Sequence, residues 1–245
     1  FFTTPIFTSS RDFSSAIQEK STEEIANNID KYGSNPEEIA SILNELATRD
    51  DLEDLSLQDK ENILSSFIAN VLPMDEVTTE LQDFFNDEES EEINIDAMME
   101  SIIDSSTQAN MTAIQVLLQD EQVLYNGNTY TLALSSIALA MSVINTETKS
   151  DESITDEITN IQTMISLSSG ETGEYDKDSL KNTLKNSDYS EESVQSIIIV
   201  MDVLSSLNGT PQDGMPDRSS DTEDISFFGL DLKGFLNDLM GMETE

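Results

Sequence analysis

Apolar residues recur along this 245-residue chain at the spacing of one helix face, with polar and often acidic residues between them. Residues 1–10 read as an extended arm, because Pro5 forbids an early helix interior. Phe13, Ile17, Ile25 and Ile29 place a broken stripe on a helix over 11–32, closed by Gly33. The next start is sharper. Asn35 suits the cap, Pro36 the first helical position, and Glu37 and Glu38 the positive end of the dipole. Ile39, Ile42, Leu43 and Leu46 then follow at i, i+3, i+4 and i+7. Ser56 and Asp59 form a relative of the capping box ahead of Ile63, Leu64, Phe67, Ile68 and Val71, and Pro73 stops that stripe.

Further stripes are Val77–Leu81–Phe84–Phe85, Ile95–Met98–Met99–Ile102–Ile103 and Ile114–Leu117–Leu118. The period then changes. Residues 123–132 carry Asn126-Gly127 between β-favouring arms, which predicts a small β-hairpin near 122–132. Residues 133–144 are apolar nearly all round and predict the most buried helix. Ile154, Ile158, Ile161 and Ile165 resume the stripe, broken at 168–173. Leu180 and Leu184 mark a short helix. Ser190, Glu191 and Glu192 open a strong one through Val194, Ile197, Ile198, Met201 and Leu204, ended by Asn208-Gly209 and Pro211.

The predicted fold class is therefore mainly α, a multi-helix bundle or stacked helical pairs with one small hairpin. Its divisions are an arm at 1–10, a helical subdomain at 11–86 and a second at 93–208 that holds the hairpin. An acidic linker at 211–224 and an amphipathic segment at 225–245 follow. Residues 35–72, with amphipathic helices at Ile39–Leu46 and Ile63–Val71, resemble the helical subdomain of the autoproteolytic ectodomains of adhesion receptors and polycystin-type proteins. The resemblance implies a helical ectodomain stalk. That family's cleavage region usually carries Cys and a His-Leu-Thr/Ser site, and this chain has neither Cys nor His.

Charge narrows the function classes. Fifty Asp and Glu face 11 Lys and Arg, a formal charge of -39, and the hydrophobic share of 37% is below the roughly 45–50% usual in globular proteins. Such a surface repels phosphates, so nucleic-acid binding is not expected, and it attracts cations and basic proteins. Absence of His and Cys excludes Ser-His-Asp and Cys-His catalysis within the chain, as well as thiolate metal sites. No run of 18 apolar residues occurs, so no membrane span is expected. A start at Phe1 rather than Met reads either as a removed leader or as part of a longer product, and the first reading implies a secretory or extracellular location.

Calcium is the cation that an oxygen-rich chain would hold. Asp50, Asp54 and Glu61 occupy positions 1, 5 and 12 of one EF-hand-like loop, with Leu55 in place of its central Gly. Glu174 and Asp176 belong to a second, in which Gly173 sits at the turn and Ser179 replaces the terminal Glu. Diffuse binding of divalent cations over the surface follows from charge alone. The apolar termini, Phe1 and Phe2 at one end and Phe227, Phe228, Phe235 and Leu239 at the other, could dock a neighbouring subunit or fold back on the bundle. The expected function is a processed, non-enzymatic structural protein that assembles with itself or a larger assembly under control of cations. A binding module for a basic protein is the alternative, and a hydrolase would need a concave pocket holding one carboxylate of raised pKa.

Overall fold

The computed structural model describes residues 17–33, 35–70, 108–149, 153–169, 175–212, 214–224, 226–227 and 230–242. Eleven α-helices are found among them. They are α1 (Thr22–Ala26), α2 (Ile29–Tyr32), α3 (Pro36–Leu46), α4 (Leu57–Asn70), α5 (Gln108–Gln119), α6 (Glu121–Asn126), α7 (Thr129–Glu147), α8 (Ile154–Ser168), α9 (Lys177–Asn186), α10 (Glu191–Leu207) and α11 (Leu232–Met240). A 3-10 turn at Ser219–Asp224 precedes α11. The mainly helical expectation holds. The stripes at 77–85 and 95–103 lie outside the described residues.

Local chemistry explains most helix starts. Asn35 Oδ1 accepts from the Glu38 N–H at 2.9 Å with Pro36 opening α3, and Ser190 Oγ accepts from the Ser193 N–H at 3.1 Å. Each side chain satisfies an amide that the helix itself leaves without a partner. Ser56 and Asp59 pair as the capping-box relative, Ser56 Oγ lying 3.3 Å from the Asp59 N–H and 2.6 Å from Asp59 Oδ2. Gly209 leaves α10 at φ +79, the left-handed geometry that glycine tolerates best.

The helix expected over 11–32 is broken. Ser21 caps a fresh start by accepting from the Glu24 N–H, and Asn28 separates α1 from α2 at φ -135. Arg49, distant in sequence, collects the carbonyls of Lys20 at 2.6 Å and Ile17 at 3.1 Å, which rewards the break. Gly33 is extended rather than left-handed (φ -99). A Cβ there would meet Ile39 Cδ1 at 2.4 Å, so close packing explains the glycine.

The hairpin near 122–132 is overturned. Asp120 caps α6 through the amides of Gln122 and Val123, Gly127 closes it at φ -66, and Asn128 Oδ1 caps α7 on the Thr131 N–H at 3.1 Å. A type I′ turn needs positive φ at both central residues, and Gly127 does not have it. The Asn-Gly pair instead forms part of a helix-to-helix joint. β pairing among the described residues occurs elsewhere, in a two-residue antiparallel ladder of Ser226 with Asp231 and Phe227 with Leu230 and in an isolated bridge between Ser169 and Tyr175.

α7 is the central element. Every residue from Thr131 to Met141 is buried, and α4, α5, α8, α10 and α11 all pack on it, with α10 sharing the largest interface. By length and composition α7 could cross a bilayer, and 78% of its most apolar window is buried inside the fold. One continuous apolar cluster runs from Ile17 to Met240 and draws residues from both halves of the chain. Two hydroxyls interrupt it. Ser135 and Ser136 are fully buried, and neither Oγ has a hydrogen-bond partner among the described residues. Ser135→Ala and Ser136→Ala are each expected to raise unfolding free energy by about 1 kcal/mol, because a desolvated, unpaired hydroxyl is removed. Urea denaturation curves would show the gain as a higher midpoint at constant slope, and a lower midpoint would mean that the hydroxyls have partners in solution.

Candidate functional site

A groove of about 960 Å³ lies among the described residues. Its floor is one face of α10, where Val194, Ile198, Ile199 and Asp202 recur at helical spacing. α6 forms one wall with Glu121, Leu124 and Tyr125. α9 forms the other with Lys177, Lys181 and Lys185, which the i, i+4, i+8 spacing puts in one stripe. Gln212 and Met215, from the segment expected to be an acidic linker, close one end.

That segment is part of the packed body. Met215 and Arg218 are buried, Ser206 Oγ donates to the Pro216 carbonyl at 2.5 Å, and the Arg218 N–H donates to the Ser206 carbonyl at 2.9 Å. The Arg218 guanidinium enters the α6–α7 joint. Nη1 donates to the Gly127 carbonyl at 2.9 Å and to Thr129 Oγ1 at 2.8 Å, and Nη2 donates to the Leu124 carbonyl at 3.0 Å. Thr129 Oγ1 in turn donates to Asp221 Oδ2 at 2.9 Å. Burial pulls the guanidinium below its ordinary pKa, and the charge of Asp221 works against that shift. Arg218 thus places a cation at the negative end of α6 and helps to fix the groove wall that α6 provides.

A second polar cluster sits where the groove meets α9. Asp202 is buried in α10, and both of its oxygens are engaged. The Tyr175 hydroxyl donates to Oδ1, and Lys177 Nζ donates to Oδ2 at 2.6 Å. Burial first, then the Asp202 charge and hydrogen bond, push the Tyr175 hydroxyl far above its ordinary pKa. A carboxylate held by two donors in this way orients the segment entering α9, since Asp176 next to Tyr175 caps that helix on the Ser179 N–H at 2.6 Å.

α9 has three Lys against one Asp and is the only described helix with a positive formal balance. The groove as a whole still leans acidic. Lys177 is committed to Asp202, and Lys185 lies 3.6 Å from Glu191. Lys181 is exposed and makes no bond or ion pair among the described residues. Glu121 and Asp178 are exposed in the same way.

The residues expected to hold calcium are distributed differently. Asp50 and Asp54 are exposed, and Glu61 Oε1 accepts from the Asn128 N–H at 2.8 Å, bracing the start of α7. Asp176 is the cap of α9, and Glu174 lies outside the described residues. Among the described residues no three Asp or Glu side chains cluster closely enough to hold a metal ion. Of the apolar termini, Phe235 and Leu239 are buried within the chain's own fold, where α11 packs on α7, α8 and α10. Phe227 belongs to the short ladder, and Phe1, Phe2 and Phe228 lie outside the described residues.

Sequence reading missed Arg218, Asp202 and the groove. A lone Arg in an acidic turn-rich stretch and a single Asp within an apolar helix face were the available signals. Asn208, in one of two Asn-X-Thr triplets, exchanges amide hydrogen bonds with buried Asn237 at 2.7 and 3.2 Å, so its side chain is already engaged in the fold. Comparison with protein-family models, with curated proteins and with solved structures gives no match for this chain.

Proposed function

We propose that this chain is a non-enzymatic, highly acidic interaction protein whose association, with copies of itself or with a larger assembly, is set by cations that screen its carboxylates. The supporting observation is the imbalance between carboxylates and basic side chains. Fifty Asp and Glu face only 11 Lys and Arg, so most carboxylates have no basic side chain to neutralise them, and ion pairs such as Lys20–Glu24, Lys60–Asp120 and Lys177–Asp202 already occupy some of the cations. Two such surfaces repel each other over a Debye length of roughly 10 Å at 0.1 M salt. Divalent cations shorten that reach and neutralise charge locally. Sedimentation velocity in low-salt buffer with chelator is expected to give a monomer, and millimolar Ca²⁺ to give larger species. Identical profiles would sink the role of cations.

A second reading is favoured by one observation, the acidic lean of a groove that also has an apolar floor. On this reading the chain is a binding module for a basic protein. Its complexes would form fast and dissociate as salt rises, because long-range attraction steers the encounter.

A further inference from the structure

We propose that the groove between α6 and α9 is the docking site for a basic, amphipathic peptide segment of a protein partner. The inference rests on the second reading above and gives it a place. Three features support this occupant. The concavity, about 960 Å³, is at the upper end of small-ligand pockets and suits a short stretch of peptide. Its floor carries Val194, Ile198 and Ile199, all buried in the fold, so that only a narrow apolar strip is left to meet the segment. Once internal pairs are set aside, Glu121 and Asp178 are left exposed without partners against Lys181 alone, and a net charge of -39 reinforces their sign. Like charges beyond about 8 Å are screened at physiological salt, so the rim decides the final contact and the whole surface decides only the approach.

The sign of two substitutions separates this occupant from an acidic one. Lys181 and Gln195 are exposed on helix surfaces, and neither makes a bond among the described residues, so both tolerate replacement. The probe is a fluorescein-labelled peptide of alternating lysine and leucine, read by fluorescence anisotropy at physiological salt beside a lysine-only peptide. Lys181→Glu is expected to tighten binding of the lysine–leucine peptide about fivefold, and Gln195→Lys to weaken it about fivefold, as rim charges at an interface do. The paired control, Glu23→Lys with Glu37→Lys, changes charge at exposed positions that do not line the groove and is expected to shift binding less than twofold. Circular dichroism melts confirm that each variant is folded. If Lys181→Glu weakens binding, or the paired control matches Gln195→Lys, the groove assignment is wrong while the basic-partner reading stands. If the wild-type chain binds neither peptide even at low salt, that reading falls too.

Discussion

Replacing Arg218 by Ala is expected to lower the unfolding free energy by about 3–5 kcal/mol, the largest loss from any single polar side chain described above. The guanidinium makes three charge-assisted hydrogen bonds, two of them to the carbonyls of Leu124 and Gly127 at the end of α6. A helix of six residues does not hold itself in water, because nucleation fixes several dihedrals for each bond gained. Removing Arg218 leaves those carbonyls without a donor, and leaves Asp221 facing Thr129 without the nearby cation. Arg218→Lys should recover less than half of the loss. An ammonium offers no planar fork to serve the two carbonyls and the Thr129 hydroxyl together. Denaturant unfolding of wild type and both variants gives the comparison. A loss below about 1 kcal/mol for Arg218→Ala would mean that α6 is held by packing alone.

The second large effect concerns Asp202. Asp202→Ala is expected to cost about 2 kcal/mol, chiefly because the buried Tyr175 hydroxyl loses its acceptor. Lys177 is half exposed and can return to water, so its share is small. Asp202→Asn keeps an acceptor for the tyrosine and should cost less than the alanine change. The same cluster makes a prediction at high pH. The folded-state pKa of Tyr175 is raised, so the folded chain holds that proton more tightly than the unfolded chain does. Its contribution is therefore fully present below the ordinary tyrosine pKa of about 10 and is lost progressively as pH rises above it. Ultraviolet titration should show that one of the five tyrosines does not ionise until the chain unfolds. Tyr175→Phe should remove that late step. Its persistence in the variant would assign it to another tyrosine, Tyr32 and Tyr130 being the others raised.

What was legible in the sequence is what neighbours in the sequence decide. Asn35, Ser56 and Ser190 announce helix starts because a cap needs only an amide two or three residues on. Ile39, Leu43, Leu180, Leu184 and Leu204 announce buried faces because the helical period is local. The all-round apolar run at 133–144 announces the central helix for the same reason. The sheer excess of carboxylate also needs no structure.

Tertiary structure decided the rest where partners lie far apart in the chain. Asn126-Gly127 has the chemistry of a hairpin, yet Arg218, some ninety positions later, makes a helix end of it. Residues 211–224 have the composition of a linker. They pack because Met215 and Arg218 find burial and carbonyls on helices that the sequence does not place beside them. Phe235 and Leu239 read equally as a docking arm or as core, and contact with α7, α8 and α10 settled them as core. The groove shows the limit most clearly, since its lining spans Gln119 to Met215. Periodicity says which face of a helix is apolar, but only the packing of α6, α9 and α10 says which charges share a concavity and which are already paired.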